Sequence, residues 1–216
     1  MRYFFITGTD TDCGKTYVTC QLIDYFKQFG KTLAVKPVAS GCIDNNGQLL
    51  SEDVLHLEKH NRTLEYPINR WRFRAPISPH LAAKKEGQQL LVHDIARFCS
   101  QEHYQKFDYL LIEGAGGLLV PLNDDETWLD FLKLTQFPVI LVVGMKLGCL
   151  NHALLTSLVL QSNKIPFCGW IANCLDRNML ALSDNIATLS EKIPVPLLAT
   201  VPFQGKLIAH RLSEWV

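Results

Sequence analysis

Short and almost wholly apolar runs alternate along this chain with longer segments in which apolar residues recur at helical spacing. The short runs have the length and the β-branched or aromatic character of strands that are buried on both faces. They are Arg2 to Ile6, Thr32 to Val35, Tyr109 to Ile112, Pro138 to Val143, Ile165 to Ala172 and Pro196 to Val201. Strands that alternate with helices predict one α/β domain over residues 1–216, with a doubly wound, mostly parallel sheet flanked by helices.

Helical stripes of apolar residues fill the intervals between these runs. The first helix is predicted from about Lys15 to Phe29, and Gly30 is placed to end it. Asn151 is a good N-cap for the helix that follows the strand Pro138 to Val143. Further helices are predicted from Ser51 or Glu52, over Leu90 to His103, and along the stripe of Leu182, Ile186, Leu189 and Ile193.

The junction between the first strand and the first helix has the character of a phosphate-binding P-loop. Gly8 to Thr16 reads Gly-Thr-Asp-Thr-Asp-Cys-Gly-Lys-Thr, small and polar up to a Gly-Lys-Thr at the helix start. Thr9 stands where the usual pattern has its first glycine. A Gly-Lys-Thr that only caps a helix is the alternative, but the strand before it and the amphipathic helix after it favour the phosphate site. Lys15 can then reach the β- and γ-phosphates, and the Thr16 hydroxyl can bind Mg²⁺.

Three charged residues stand where strands end or helices begin. Lys36 and Glu113 each follow a strand, so both are expected at the sheet edge that carries the phosphate loop. A solvated surface position for Lys36 is equally compatible with the sequence, and Asp53 is either a metal ligand or an acid that favours its helix dipole. A metal or phosphate role is favoured for Glu113, because P-loop proteins place an acidic metal partner in this way.

Residues Pro67 to Pro79 combine arginine, proline and aromatic side chains. We predict an irregular but ordered excursion that lines a pocket, because the aromatic residues need burial. Its basic and aromatic residues give only weak support for RNA binding in a neutral chain. His56 and His60 lie four residues apart without the His-Glu-x-x-His pattern, so they are interpreted as surface or packing residues.

The composition excludes several classes of function. The 21 Lys and Arg residues equal the 21 Asp and Glu residues, so the chain has no electrostatic footprint for nucleic acid or an anionic membrane. No apolar stretch is long enough to span a bilayer, and the first residues lack the pattern of a signal peptide. Seven cysteines at irregular spacing suit reduced thiols. We therefore expect a cytoplasmic protein without nucleic-acid or membrane partners.

Taken together, these motifs resemble those of the dethiobiotin synthetases, which are P-loop NTPases in fold. The segments that carry the resemblance keep the family's order and span nearly the whole chain. They are Gly8 to Thr16, Lys36-Pro-Val-Ala-Ser-Gly41, Ser78-Pro-His80, Glu113-Gly-Ala-Gly-Gly117, Pro138 to Gly144, Lys146-Leu-Gly-Cys-Leu-Asn-His152 and Ile171-Ala-Asn173.

The resemblance implies an ATP-dependent reaction of biotin synthesis with Mg²⁺ as cofactor. The implied substrates are 7,8-diaminononanoate, CO₂ or bicarbonate, and ATP as co-substrate. One amine forms a carbamate, ATP phosphorylates it, and the second amine closes a cyclic urea, so that dethiobiotin, ADP and phosphate result.

The resemblance also implies the roles of individual residues. The implied catalytic residues are Thr11, Lys15 and Lys36, and the implied Mg²⁺ ligands are Thr16, Asp53 and Glu113. The implied nucleotide-binding residues are Asp12, Cys13, Gly14, Lys15, Thr16, Tyr17, Asp53, Glu113, Gly114, Ala115, Gly116, Asn173, Cys174, Pro202, Phe203 and Gln204. The implied substrate-binding residues are Ser40 and the loop of Leu147, Gly148, Cys149, Leu150 and Asn151, which comes from the partner subunit of a homodimer.

Two other classes of protein share the P-loop. One is another ATP-dependent ligase or amidotransferase-type synthetase that acts on a different carboxylate. The other is a nucleotide-driven positioning ATPase, a switch protein with an extra lysine early in the loop. This chain has Asp10 in that place and no basic surface, which disfavours the switch proteins.

Overall fold

A computed structural model describes residues 1–62 and 65–216. Its strands are β1 (Arg2–Gly8), β2 (Thr32–Val35), β3 (Val38–Ala39), β4 (Ile43–Asn45), β5 (Gln48–Leu50), β6 (Trp71–Arg72), β7 (Tyr109–Gly117), β8 (Val139–Met145), β9 (Phe167–Cys174), β10 (Leu197–Val201) and β11 (Ile208–Ala209). Its α-helices are α1 (Lys15–Phe26), α2 (Glu52–Asn61), α3 (Pro79–Lys85), α4 (Val92–Cys99), α5 (Trp128–Thr135), α6 (Cys149–Ser162) and α7 (Leu182–Lys192). Short 3₁₀ helices cover Glu102–Lys106 and Leu212–Trp215.

The main sheet carries the long buried strands. Within residues 1–62 and 65–216 it has seven strands in the order β11-β10-β9-β8-β1-β7-β2. Its neighbouring strands are parallel except β10 and β11, which are antiparallel. The predicted doubly wound, mostly parallel sheet is therefore confirmed. β1 lies between β7 and β8, where the strand order changes direction, and open α/β sheets bind ligands at such a point.

The apolar periodicity explains how α1 packs on this sheet. Val18, Leu22, Ile23 and Phe26 are fully buried, as their helical spacing predicts. Phe26 stacks on Phe4 of β1 with 5.4 Å between the ring centroids. This packing fixes the angle between strand and helix, and hence the shape of the loop that joins them.

Several predicted boundaries are wrong. α1 ends at Phe26 with Lys27 as its C-cap, so Gly30 does not end it. The helix predicted over Leu90 to His103 is divided into α4 and the following 3₁₀ helix. α6 begins at Cys149 because Gly148, at φ +91°, is its N-cap, and Asn151 therefore lies in the first turn.

In the part of the chain that the structure describes, no helix combines the length and the apolar character that crossing a bilayer requires.

Candidate active site

The loop between β1 and α1 curls around the start of the helix. Gly14 is the N-cap of α1 and has φ +82°, a left-handed conformation that glycine adopts without strain. A Cβ at Gly14 would lie 2.1 Å from Nδ2 of Asn173, so the close approach also requires glycine. Asp12 is likewise left-handed at φ 59° and is exposed, and it lines the cavity in front of the loop. The N–H groups of the first helical turn are therefore available to an anion.

Lys15 is folded back onto this loop. Its Nζ donates to the backbone oxygen of Asp10 at 3.0 Å and lies 3.9 Å from Sγ of Cys13. The loop therefore surrounds a cation, as a phosphate site requires. Cys13 is fully buried in the main core, where its small side chain fills space beneath the loop.

Lys36, Asp53, Glu113 and Thr16 form one cluster beside the loop. Lys36 Nζ pairs with Oδ2 of Asp53 and lies 2.8 Å from Oε1 of Glu113. Thr16 Oγ1 donates to the same Glu113 oxygen at 2.6 Å. The register of β2 on β7 pairs Val35 with Ile112. Lys36, directly after β2, is therefore brought beside Glu113, the next residue of β7. The structure thus decides the question that the sequence left open, because Lys36 is buried at 4% exposure rather than solvated.

The charges in this cluster stabilise one another. Burial lowers the pKa of the Lys36 ammonium, but the carboxylates of Glu113 and Asp53 outweigh burial and raise that pKa above its usual value. For Asp53, burial by itself would raise the pKa. The charge of Lys36 and its hydrogen bond outweigh burial, so the pKa of Asp53 lies below its usual value. Lys36 is therefore a permanent cation at neutral pH, and Asp53 is ionised.

A cavity of about 560 Å³ opens over the loop and the cluster. Of the predicted site residues it is lined by Thr11, Asp12, Gly14, Lys15, Thr16, Tyr17, Lys36, Ser40, Asp53, Ala115 and Gly116. Pro76, Ile77, Ser78 and Pro79 form another part of the wall, so the prediction that the excursion from Pro67 to Pro79 lines a pocket is confirmed. Val120 also lines the cavity, and no sequence signal marked it.

Glu113 lies behind the cavity wall. It is fully buried, and it is inside β7 rather than at its tip, because the strand continues through the glycines to Gly117. Its Oε2 has no hydrogen-bond partner among the described residues. A buried carboxylate oxygen without a partner has a lone pair to offer a cation.

The donors of the cluster fit Mg²⁺. Thr16, Asp53 and Glu113 all offer oxygen atoms, which this hard cation prefers. Among the described residues, no three His, Cys, Asp or Glu side chains converge as a dedicated metal cage. Mg²⁺ is usually bound by one or two carboxylates together with water and substrate phosphates, so two acids and a hydroxyl suffice.

A second cavity of about 470 Å³ adjoins the first, because Thr11 and Val120 line both. Most of its other walls are apolar: Leu118, Leu119, Pro121, Leu155 and Val159. At its polar end Asp10 forms an ion pair with Lys146, with 2.6 Å between Oδ2 and Nζ. Asp10 thereby connects the phosphate loop to Lys146, directly before the predicted substrate loop from Leu147 to Asn151. No local pattern indicated this contact.

The predicted base-binding residues lie apart from the large cavity. Asn173 is buried within β9, and its Nδ2 donates to the backbone oxygen of Cys13 at 2.9 Å, so this amide supports the phosphate loop. Cys174 is buried in the core beside α6 and α7. The segment Pro202 to Gln204 precedes Gly205, whose oxygen accepts a hydrogen bond from the Tyr17 hydroxyl at 2.8 Å.

The histidines of α2 have ordinary surface contacts. His60 Nδ1 lies 3.0 Å from Oδ2 of Asp24, and His56 Nε2 lies 3.7 Å from Oε1 of Glu52. These contacts agree with their interpretation as surface residues.

Comparisons with known proteins point to one family. A profile described as "AAA domain" matches residues 2–211. An ATP-dependent dethiobiotin synthetase of Legionella pneumophila (strain Corby) is 55% identical over 215 residues, which cover 99% of this chain and 100% of that protein. A second one, from Cellvibrio japonicus, is 44% identical over 204 residues, with 93% and 89% covered.

Solved structures support the fold alone. The cell division protein FtsY of Thermotoga maritima superposes with a TM-score of 0.60 at 12% identity, over 97% of this chain and 65% of that one. The septum site-determining protein MinD of Pyrococcus horikoshii gives a TM-score of 0.55 at 18% identity, with 93% and 81% covered.

Proposed function

The chain belongs to the dethiobiotin synthetase family and is an ATP-dependent ligase of biotin biosynthesis, and we propose that it makes dethiobiotin from 7,8-diaminononanoate, CO₂ and ATP. One amine adds to CO₂ and loses a proton, which gives a carbamate. A carbamate oxygen attacks the γ-phosphorus of ATP, and ADP leaves. The second amine then attacks the carbamate carbon, phosphate leaves, and the cyclic urea is closed.

The observation that carries this proposal is the buried Lys36 next to Glu113, Asp53 and Thr16, at the wall of a cavity that Lys15 also lines. A carbamate and the ATP phosphates are both anions, so they repel each other as they approach. Two cations held beside the same cavity offset that repulsion and align the donor with the acceptor. We further propose that Thr11, which lines both cavities, donates a hydrogen bond from its hydroxyl to the transferring phosphoryl group.

Mg²⁺ would be held by Thr16, Asp53 and Glu113. When bound, it neutralises charge on the β- and γ-phosphates. The Lys36 ammonium pairs with both carboxylates but offsets only one of their two negative charges, so the cluster keeps a net negative charge that suits a cation.

The two adjoining cavities suit the two ends of the diamine. Ser40 lines the larger cavity and would hydrogen-bond the carbamate. The apolar smaller cavity suits a hydrocarbon chain, and the start of α6 in the Leu147 to Asn151 loop of a partner subunit suits a carboxylate. For the nucleotide, we propose that the backbone amides of the phosphate loop bind the phosphates. Gly114 to Gly116 then allow the nucleotide to approach the backbone closely, and Asn173 and Pro202 to Gln204 contact the base.

We expect phosphate release from ATP and bicarbonate only when 7,8-diaminononanoate is also present. The substrate supplies the nucleophile, so ATP alone has no acceptor at the site. Phosphate release is measured with and without the diamine, and the product formed from carbon-labelled bicarbonate is identified by mass spectrometry. Equal hydrolysis in both cases, or an acyclic product, would contradict a synthetase. The control is 2,3-diaminooctane, which keeps the two adjacent amines but lacks the carboxylate.

We also propose that the protein is a homodimer in which the Leu147 to Asn151 loop completes the partner's site. Leu119 and Leu155 flank the smaller cavity, Leu158 is one turn farther along α6, and Leu147 lies in the loop itself. All four are more than half exposed. Large apolar side chains that cluster in this way are typical of a surface that another chain covers.

Leu158→Asp is expected to give monomers and to raise the KM for the diamine about tenfold, equivalent to ~1.4 kcal/mol of lost binding. A carboxylate on the apolar face opposes association, and the site then lacks the partner's loop. Sedimentation velocity and steady-state kinetics measure the two effects. Leu134→Asp changes an exposed leucine of α5 and is the matched control. A monomer with unchanged kinetics would refute the shared site.

A further inference from the structure

The strand that leads to Lys36 is at the edge of the sheet. β2 pairs only with β7 among the strands of the main sheet in the described ranges, so its other side presents unpaired backbone groups. Buried N–H and C=O groups need partners. Two asparagine side chains supply such partners here.

Asn61, at the end of α2, closes the middle of this edge. Its Oδ1 accepts from the Ala34 N–H at 2.9 Å, and its Nδ2 donates to the Ala34 oxygen at 2.8 Å. The side-chain amide thus takes the place of a neighbouring strand. Both of these side-chain hydrogen bonds are to Ala34, two residues before Lys36.

Asn69 closes the edge at Lys36 itself. The Lys36 N–H donates to the Ile68 oxygen at 2.8 Å, and Asn69 Nδ2 donates to the Lys36 oxygen at 2.6 Å and to the Pro37 oxygen at 3.2 Å. Asn69 is only 5% exposed. Lys36 lies one residue beyond the end of β2, so the hydrogen bonds of the sheet no longer hold its backbone. The contacts with Ile68 and Asn69 hold it instead.

Arg72 fixes the direction of the Asn69 amide. Its Nε donates to Asn69 Oδ1 at 2.6 Å, which leaves Nδ2 to face the Lys36 oxygen. Arg72 also donates through a guanidinium nitrogen to the Leu49 oxygen at 3.1 Å. The chain of contacts therefore runs from the β4–β5 hairpin through Arg72 and Asn69 to the backbone of Lys36.

We propose that Asn69 is a positioning residue for Lys36, and that it sets where the Lys36 ammonium meets the transferring phosphoryl group. This inference rests on the proposed function, because it assigns Asn69 an effect only through Lys36. A displacement of about 1 Å at a catalytic group can lower turnover by as much as ~10²-fold. The amide of Asn69 holds the Lys36 carbonyl, which is next to the Cα from which the Lys36 side chain projects.

The test is a double-mutant cycle with Asn61→Ala as the matched control. Asn69→Ala and Asn61→Ala each remove a buried amide from the same strand edge, and both are expected to lower the melting temperature. Only Asn69→Ala is expected to lower kcat, about tenfold per folded molecule, with the KM for ATP unchanged. In a Lys36→Gln background, Asn69→Ala is expected to cause no further loss of kcat, because the residue on which it acts is gone.

Three results would overturn the inference. They are equal losses of kcat in the two asparagine variants, an unchanged kcat in Asn69→Ala, and the same tenfold loss when Lys36 is already glutamine. Arg72→Leu is a milder variant at a half-buried position, and it is expected to lower kcat less and again only when Lys36 is present. If Lys36→Gln alone turns over at the normal rate, the proposed function of Lys36 fails instead, so the two failures are distinguishable.

Discussion

Lys36→Gln is expected to slow turnover by ~10²–10³-fold, equivalent to about 3–4 kcal/mol of lost transition-state stabilisation. Glutamine keeps most of the length and hydrogen-bonding capacity of lysine but removes the cation that faces the developing charge. Lys36 is buried between two carboxylates, so water does not replace its charge. The effect is therefore expected in kcat, measured from steady-state phosphate release at saturating substrate.

The control for this prediction is Lys192→Gln, which removes an exposed lysine from the last turn of α7 and is expected to leave kcat unchanged. Circular dichroism of the Lys36→Gln variant shows whether it is folded. A folded variant with a normal kcat would remove Lys36 from the mechanism.

Glu113→Gln is expected to lower the free energy of unfolding by ~3 kcal/mol, because it removes one partner from a buried ion pair. Among the described residues, the Lys36 ammonium then keeps Asp53 alone as an opposite charge in direct contact. In the variant, the glutamine NH₂ group takes the position of Glu113 Oε2. That position has no hydrogen-bond partner among the described residues, so the buried N–H groups are left unsatisfied. Urea unfolding, followed by fluorescence at constant ionic strength, measures the loss.

The double variant Lys36→Met with Glu113→Gln separates charge from packing. Methionine removes the buried cation, so this variant is expected to recover part of the stability that Glu113→Gln loses. Asp94→Asn, at an exposed i,i+3 ion pair with Arg97 on α4, is the control and is expected to change stability by less than ~1 kcal/mol. A Glu113→Gln variant as stable as the parent chain would mean that Lys36 finds another partner.

The phosphate loop was predictable because its signals are local. A buried strand, a small polar loop and an amphipathic helix follow one another within the first 26 residues, and each signal depends on neighbours in the sequence. The parallel sheet was predictable for a similar reason, since strands buried on both faces are apolar throughout. Boundaries were less predictable, as at Gly148, where the backbone conformation of one residue starts α6 earlier than the capping preference of Asn151 indicates.

The roles of Lys36 and Asp53 were not settled by local signals. A lysine after a strand is as often solvated as buried, and an acid in the first turn of a helix has a sufficient explanation in the helix dipole. The sheet order decided the matter, because it places β2 beside β7 and brings Lys36 level with Glu113, 77 positions later in the chain. Asn69 and Arg72 lie in the excursion predicted from Pro67 to Pro79, but no local signal indicated their contacts near Lys36, since these contacts depend on the unpaired edge of β2.

The amino-acid sequence by itself determined which residues form the buried strands and helices, where the phosphate loop begins, and which family the motifs resemble. Only the tertiary structure decided that Lys36 is buried beside Glu113 and Asp53, that two cavities meet at Thr11 and Val120, and that asparagine side chains complete the edge of the sheet. The physical reason is the range of the interactions. Periodicity, capping and loop composition act between near neighbours, whereas burial, ion pairing and strand adjacency depend on where distant segments lie in the folded chain.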